Sequence, residues 1–290
     1  MTNQKQISEI IVRGGLGNQL FCVFYAYKQI LLGKKPLFNL CEYKEDLPLS
    51  RQFHVAELVG QSTCHIEINT AFHRWVTYIT AKTISRLVSA FRSYESDRLP
   101  GDRELVVKLL PTWSLHIGYF QHIENNPVDK KALEMLKSNV MRHLETGRQK
   151  GVLGIHLRRG DYLLKKHLMH GIISIDSVIA QTAKMIRNGG ITKIKIFTDS
   201  PELINMRLFE SLGLAFEIDS SLTPMQILKE MVSCSSFIAA NSSLSLWAGL
   251  ISDFENFVIP SLWCKGVSSS VIGLDWINRY QILFDDAHDD

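Results

Sequence analysis

VLGIHLRRGDY, residues 152–162, decides how this chain is read. Its apolar run through Ile155 and Leu157 has the pattern of a buried strand, and it meets Arg158, Arg159, Gly160 and Asp161 with no spacer. In an open α/β sheet ligands gather beyond the carboxyl ends of the strands, so two guanidinium groups at such an end are placed to meet an anion. Arginine suits phosphate because its planar fork donates two parallel hydrogen bonds and stays charged at any working pH. Gly160 permits a sharp turn, and Asp161 can orient a guanidinium or accept a proton. The plainer alternative is a surface turn whose charges pair with one another.

Downstream, the apolar patterning alternates regularly. Strands are predicted at 152–157, 193–197, 215–218, 236–240 and 256–259. Between them fall helices at 175–188 and 202–212, one from about Thr223 with Pro224 in its first turn, and one from Ser242. Such alternation implies a parallel, doubly wound sheet with right-handed crossovers. A last helix is predicted over 274–284, crossing back to the first domain.

Upstream, the polar run 145–151 is the predicted linker, which divides the chain into domains 1–150 and 151–273 with a tail 274–290. The chain opens with IIV at 10–12, then GGLGNQ at 14–19, then an apolar stretch 20–32 that stops at Gly33. Strand, glycine turn, buried helix and a next strand at 36–40 make a βαβ start. The turn lacks the Gly-Lys-Ser/Thr of a Walker loop and the third glycine of a dinucleotide fingerprint. Gly15 and Gly17 either simply allow a tight turn or, with Asn18, bring amides to a bound sugar or phosphate. The segment 72–91 reads as a helix with Arg74, Lys82, Arg86 and Arg92 among its apolar residues. It either packs on the core with a solvated back or lies on an anionic membrane surface. A loop is predicted at 99–108 and a helix at 132–142. Trp113, Tyr119 and Phe120 either pack or stack on a sugar face.

At 290 residues the chain suits one large or two ordinary domains, and 46% apolar with 21% charged residues fits a globular enzyme. A net charge of +3 is too small to argue for nucleic acid. The five cysteines are scattered and form no CxxC pair, which favours a reducing compartment. The first ten residues lack the apolar core of a signal peptide, and no apolar run is long enough to cross a bilayer, so a cytoplasmic location is expected.

If the sheet is as drawn, three turns share one edge: that after Leu157, that after Phe197 with Asp199, and that after Ala240 with Asn241, Ser242 and Ser243. Asn241 and Ser242 fit an ordinary N-cap, and equally a helix start whose free amides accept phosphate. Asp199 is either a cap for the helix after Pro201 or an acceptor for the donors of a guanine base or a ribose hydroxyl. His156 is either a satisfied core histidine or, with Asp161, one of two groups able to serve as a general base. No D-x-D occurs and no histidines have metal-ligand spacing, so a leaving diphosphate would be neutralised by arginine and helix amides without a metal.

HLRRGDY at 156–162, GGLGNQLF at 14–21, GYFQ at 118–121 and ANSSLSLWAGLI at 240–251 together resemble the bacterial α-1,2-fucosyltransferases of glycosyltransferase family 11. The resemblance implies a GT-B-like α/β fold, two Rossmann-type domains facing across a cleft, with 1–150 on the acceptor side and 151–273 binding GDP-fucose. It implies an inverting transfer of L-fucose from GDP-β-L-fucose, with no cofactor or metal, to a galactose-type hydroxyl of a lipid-linked surface glycan precursor. By the same resemblance Arg158 holds the diphosphate, Arg159 and Asp161 complete the site, Ser242 and Ser243 serve the phosphates, Asp199 faces the nucleoside, and Asn18 meets the fucose or acceptor. The family often has Thr where Ser243 stands and an aromatic where Leu246 stands. The competing expectations are an α-1,6-fucosyltransferase and a non-catalytic nucleotide- or glycan-binding module.

Overall fold

The computed structural model describes residues 6–43, 53–55, 67–68, 79, 83, 104–160, 162, 171–220, 222–264, 267–273 and 280–283. It divides into two compact units, 1–143 and 144–290.

In the first unit, β1 (Ile7–Ile11) leads into α1 (Leu16–Leu31), and β2 (Lys35–Asn39), β3 (Glu67–Ile68), β4 (Leu105–Leu110) and β5 (Trp113–Ile117) follow. The sheet order is β3-β2-β1-β5-β4, parallel except for the edge strand β4, which runs against β5. Two side-chain hydrogen bonds tie its centre. The buried Glu9 of β1 accepts hydrogen bonds from Asn39 Nδ2 at 2.7 Å and Trp113 Nε1 at 2.8 Å, joining β1 to both neighbours. Helix α1 buries Leu20, Phe21, Val23, Phe24 and Tyr27, each such side chain contributing about 1.5–3 kcal/mol. It ends as its glycine predicts. Gly33 takes φ +77°, its amide donates to Ile30 and that of Lys34 to Gln29, which satisfies carbonyls the last turn leaves open. Helix α2 (Pro127–Leu144) is fixed to α1 by Lys28, whose ammonium lies 2.9 Å from the buried Asp129 carboxylate.

The second unit runs β6 (Gln149–Leu157), α3 (Ile175–Arg187), β7 (Lys193–Thr198), α4 (Met206–Glu210), β8 (Ala215–Asp219), α5 (Pro224–Ser233), β9 (Cys234–Ile238), α6 (Ser243–Ile251), β10 (Asn256–Pro260), the short pair β11 (Leu262–Cys264) and β12 (Val267–Ser268), and β13 (Tyr280–Leu283). Its parallel sheet has the order β13-β10-β9-β6-β7-β8. Strand order therefore reverses between β6 and β9, the position where doubly wound sheets open a crevice for a ligand. Leu153, Ile155 and Leu157 pack with Ile194, Ile196, Val178, Met185 and Phe209 on one face. Phe197, Phe237, Phe254 and Phe257 form a chain of ring contacts elsewhere in the unit. Burial on both faces explains why these strands read as continuous apolar runs.

Four expectations need correction. The tail predicted as a helix contains β13, which pairs parallel with β10 in the second unit's own sheet, because an apolar run beside an open strand edge gains a full ladder of hydrogen bonds. The predicted loop 99–108 contains the start of β4, whose LVVKLL run is rich enough in β-branched residues to pair with β5. Gln149–Gly151 of the predicted linker is the solvated start of β6, and the units divide before it, between His143 and Leu144. The helix predicted at 202–212 is a 3-10 turn, Pro201–Leu203, and the short α4, separated where Ile204 becomes extended. Of the basic segment 72–92, all but Ile79 and Thr83 lies outside the described residues. Among the described residues no helix is long and apolar enough to cross a membrane.

Candidate active site

Beyond the carboxyl end of β6, three stretches distant in sequence are bonded together. Asp199, just after β7, accepts the backbone amides of Arg159 and Gly160 on one oxygen, at 3.0 and 3.1 Å. Its other oxygen lies 3.2 Å from Arg158 Nε. Burial alone would raise the Asp199 carboxyl, but the Arg158 guanidinium and the two amides outweigh it and hold the group below the usual carboxylate range. Gly160 is required by this closeness: a Cβ there would stand 2.6 Å from Ser200 Oγ and 3.1 Å from Asp199 Oδ2. Asp199 thus organises the arginine loop, a role beyond the expected one of reading the nucleoside.

The third stretch is the turn from β9 into α6. Tyr162 Oη donates to the Asn241 carbonyl at 2.8 Å, and the Arg158 guanidinium lies 5.9 Å from the centre of the Tyr162 ring. Arg158 and the start of α6 therefore share one sheet edge, as the sequence requires. The buried Asn241 carboxamide donates to the Gly171 carbonyl at 3.3 Å, so it ties the turn into α6 to that residue. Ser242 is the N-cap by position, yet its own side chain makes no capping hydrogen bond, and Ser242 and Ser243 are both half-buried. Arg159 donates to the Ile173 carbonyl at 3.1 Å, which pins the guanidinium. Asp161 lies outside the described residues.

His156 follows neither expectation. It is buried in β6, its Nδ1 has no hydrogen-bond partner among the described residues, and burial together with Arg158 pushes its pKa down to about 3. Such an imidazole stays neutral at ordinary pH and is a poor proton acceptor. Tyr162, for which the motif gives no sequence signal, bridges the arginine loop and the turn into α6.

The first unit has a corresponding edge. Its strand order reverses between β1 and β5, and there Gln121 Nε2 donates to Asn18 Oδ1 at 2.9 Å, joining the GGLGNQ and GYFQ motifs. Gly14, at φ +70°, offers its carbonyl to Tyr43 Oη at 2.7 Å and Gln19 Nε2 at 3.2 Å. Gly17, expected to touch the donor, is buried within the first turn of α1. Arg13, just past β1, pairs with Glu42 at 2.8 Å. Phe120 is buried and stacked on Tyr25, and Trp113 is bound to Glu9, so both serve packing. Among the described residues no cluster of side chains could hold a metal ion.

The family model described as glycosyl transferase family 11 matches residues 7–260. Among solved structures, POFUT1 in complex with GDP is similar at 10% identity and a TM-score of 0.48, over 98% of this chain and 99% of that one. The E. coli heptosyltransferase WaaC with ADP-2-deoxy-2-fluoro heptose is similar at 9% identity and 0.45, over 95% and 92%. A glycosyl transferase family 9 protein from Veillonella parvula follows at 8% and 0.44, over 98% and 87%. No curated protein matches the chain.

Proposed function

The chain belongs to glycosyl transferase family 11, and from that premise we propose that it transfers L-fucose from GDP-β-L-fucose to a galactose-type hydroxyl, with inversion and without a metal, giving an α-1,2 linkage. The observation that carries this reading is Arg158, held by Asp199 and Tyr162 beside the amino end of α6, whose N-cap side chain makes no capping hydrogen bond, at the strand-order reversal of the second unit. Negative charge grows on the diphosphate as the sugar departs, and fixed donors aimed at that charge favour the transition state over the bound substrate. Arg158 supplies the cation, and the amides of Ser243 and its successors supply a dipole worth about 0.3–1 kcal/mol when exposed and up to ~2 when partly buried. The acceptor hydroxyl attacks the anomeric carbon from the face opposite the leaving group. Of the two groups considered as its base, the neutral His156 is disfavoured and Asp161 retains suitable chemistry.

The acceptor proposed is a galactose or N-acetylgalactosamine terminus on a lipid-linked oligosaccharide at a membrane's inner face, with 72–92 as the contact. Co-sedimentation with anionic liposomes tests that contact, and absence of pelleting overturns it. The decisive experiment on function is incubation with GDP-fucose and a panel of β-galactosides, reading GDP release and product linkage. Release with an α-1,2 product is expected. An α-1,6 product or another preferred donor replaces the reading, and GDP binding without release would make the chain a binding module.

A further inference from the structure

The first unit holds a polar device that transfer of a leaving group does not use. At its strand-order reversal, Asn18 stands in the first turn of α1, half-buried, and Gln121 reaches it from the loop after β5. A carboxamide is two-faced: its oxygen accepts and its nitrogen donates, so whichever end a neighbour captures decides what the other end offers. Gln121 Nε2 captures the oxygen. The Asn18 nitrogen is left over Gly14, where a Cβ would stand only 2.6 Å from it, so glycine at 14 is needed both for its φ of +70° and for room.

The loop that delivers Gln121 is strained. Phe120, the residue before it, has φ +55°, a left-handed conformation that a bulky residue rarely adopts and that costs of order 1–3 kcal/mol. Packing imposes it: the Phe120 ring is buried and stacks on Tyr25 with centroids 4.1 Å apart and planes at 14°, while Tyr25 Oη is hydrogen-bonded to His116 Nδ1 at 2.9 Å. A chain of contacts from β5 through Tyr25 and Phe120 therefore fixes where Gln121 points.

We infer that Gln121 is a positioning residue, which holds the Asn18 carboxamide oxygen-inward so that this edge of the first unit presents N–H donors to an oxygen of the sugar. The lone pairs of a sugar hydroxyl or ring oxygen fit such an edge, whereas a site that must take a hydroxyl proton would need the opposite orientation. The inference rests on the reading that the chain transfers a sugar, but the hydrogen bond at its centre is testable without activity.

A double-mutant cycle on kcat/KM with GDP-fucose and the best β-galactoside separates positioning from structural support. Gln121→Met releases Asn18 and is expected to lower kcat/KM about 3- to 10-fold, the scale of one hydrogen bond. Gln121→Glu captures the Asn18 nitrogen instead and turns its oxygen outward, with an expected loss of about 10- to 100-fold from a mispaired polar group. In the N18A background both changes should have no further effect. Equal losses in the two backgrounds, or full activity of Q121E, would overturn the inference. The Gln121 side-chain amide pair in a ¹⁵N–¹H spectrum of the ligand-free protein, assigned by its loss in Q121M, should move upfield in N18A. A pair that does not move overturns the hydrogen bond itself. A wild-type protein that spectrally shows this bond but does not turn over GDP-fucose overturns the functional reading alone.

Discussion

The two units share a plan and differ in charge. In each, an arginine follows the first strand and pairs with a carboxylate beyond the next: Arg13 with Glu42 in the first unit, Arg158 with Asp199 in the second. In each, the strand order reverses beside that first strand. The second unit adds Arg159, whose guanidinium donates to the Ile173 carbonyl, and a helix start whose N-cap side chain makes no capping hydrogen bond. The first adds the neutral amides of Asn18 and Gln121. Under the proposed function, neutral amides suit an uncharged sugar, and a second arginine beside a helix start suits a diphosphate. The same scaffold can thus be specialised by a few residues at one sheet edge, because the backbone fixes where a ligand sits and the side chains fix its charge.

The strongest way to break this comparison is to remove the corresponding arginines. Arg158→Ala should lower kcat by about 10²–10³, the scale of losing one transition-state donor, while Arg13→Ala should stay within a few-fold. Equal losses in a GDP-release assay would dissolve the distinction. Next come the carboxylates. Asp199→Asn keeps an acceptor for the Arg159 and Gly160 amides but drops the charge facing Arg158, and about a tenfold loss of kcat/KM is expected, whereas Glu42→Gln should be nearly neutral. Comparable effects in both variants would show that pairing, not ligand charge, is what the carboxylates serve.

Acid sharpens the comparison through stability. Burial, then Lys34, pushes His116 down to about 4, and burial, then Arg158, pushes His156 down to about 3. The unfolded chain takes up protons below about 6.5 while the folded one does not, so their contribution to stability is complete above that pH. It is lost as pH falls from 6.5 toward 4 for His116 and toward 3 for His156, at up to about 1.4 kcal/mol per pH unit for each. Denaturation midpoints followed over this range should flatten in His156→Gln. A slope that does not change in that variant would mean its imidazole is protonated in the fold. His116, bound by Tyr25 and Ser114 at 2.9 and 2.8 Å, should be the costlier of the two to replace, since its partners would be left unsatisfied. The smallest effect expected is none: EDTA should leave turnover unchanged, and dependence on added Mg²⁺ or Mn²⁺ would contradict neutralisation by Arg158 and α6.

The sequence was most legible where signals were local. The alternation in the second unit predicts each of its first five strands to within two residues at either end except at the start of β6. The Pro224 helix forms with Thr223 as its cap in a full capping box, and α1 stops at Gly33. HLRRGDY announces an anion site because charge at a strand end needs no partner to be noticed. The tail is ambiguous in sequence because an apolar period of a few residues suits helix and strand alike, and the open edge of β10 decides between them.

By itself the chain determined the class of fold, the family, and which residue types stand at each strand end, since propensity, capping and charge act over a few residues. Only the tertiary structure decided that Asp199 grips the Arg158 loop, that Asn241 turns inward, that His156 is held neutral, and that Gln121 meets Asn18 across 103 residues. Those pairings depend on strand order and register, which bring distant segments to one edge, and no local pattern encodes which of them will meet.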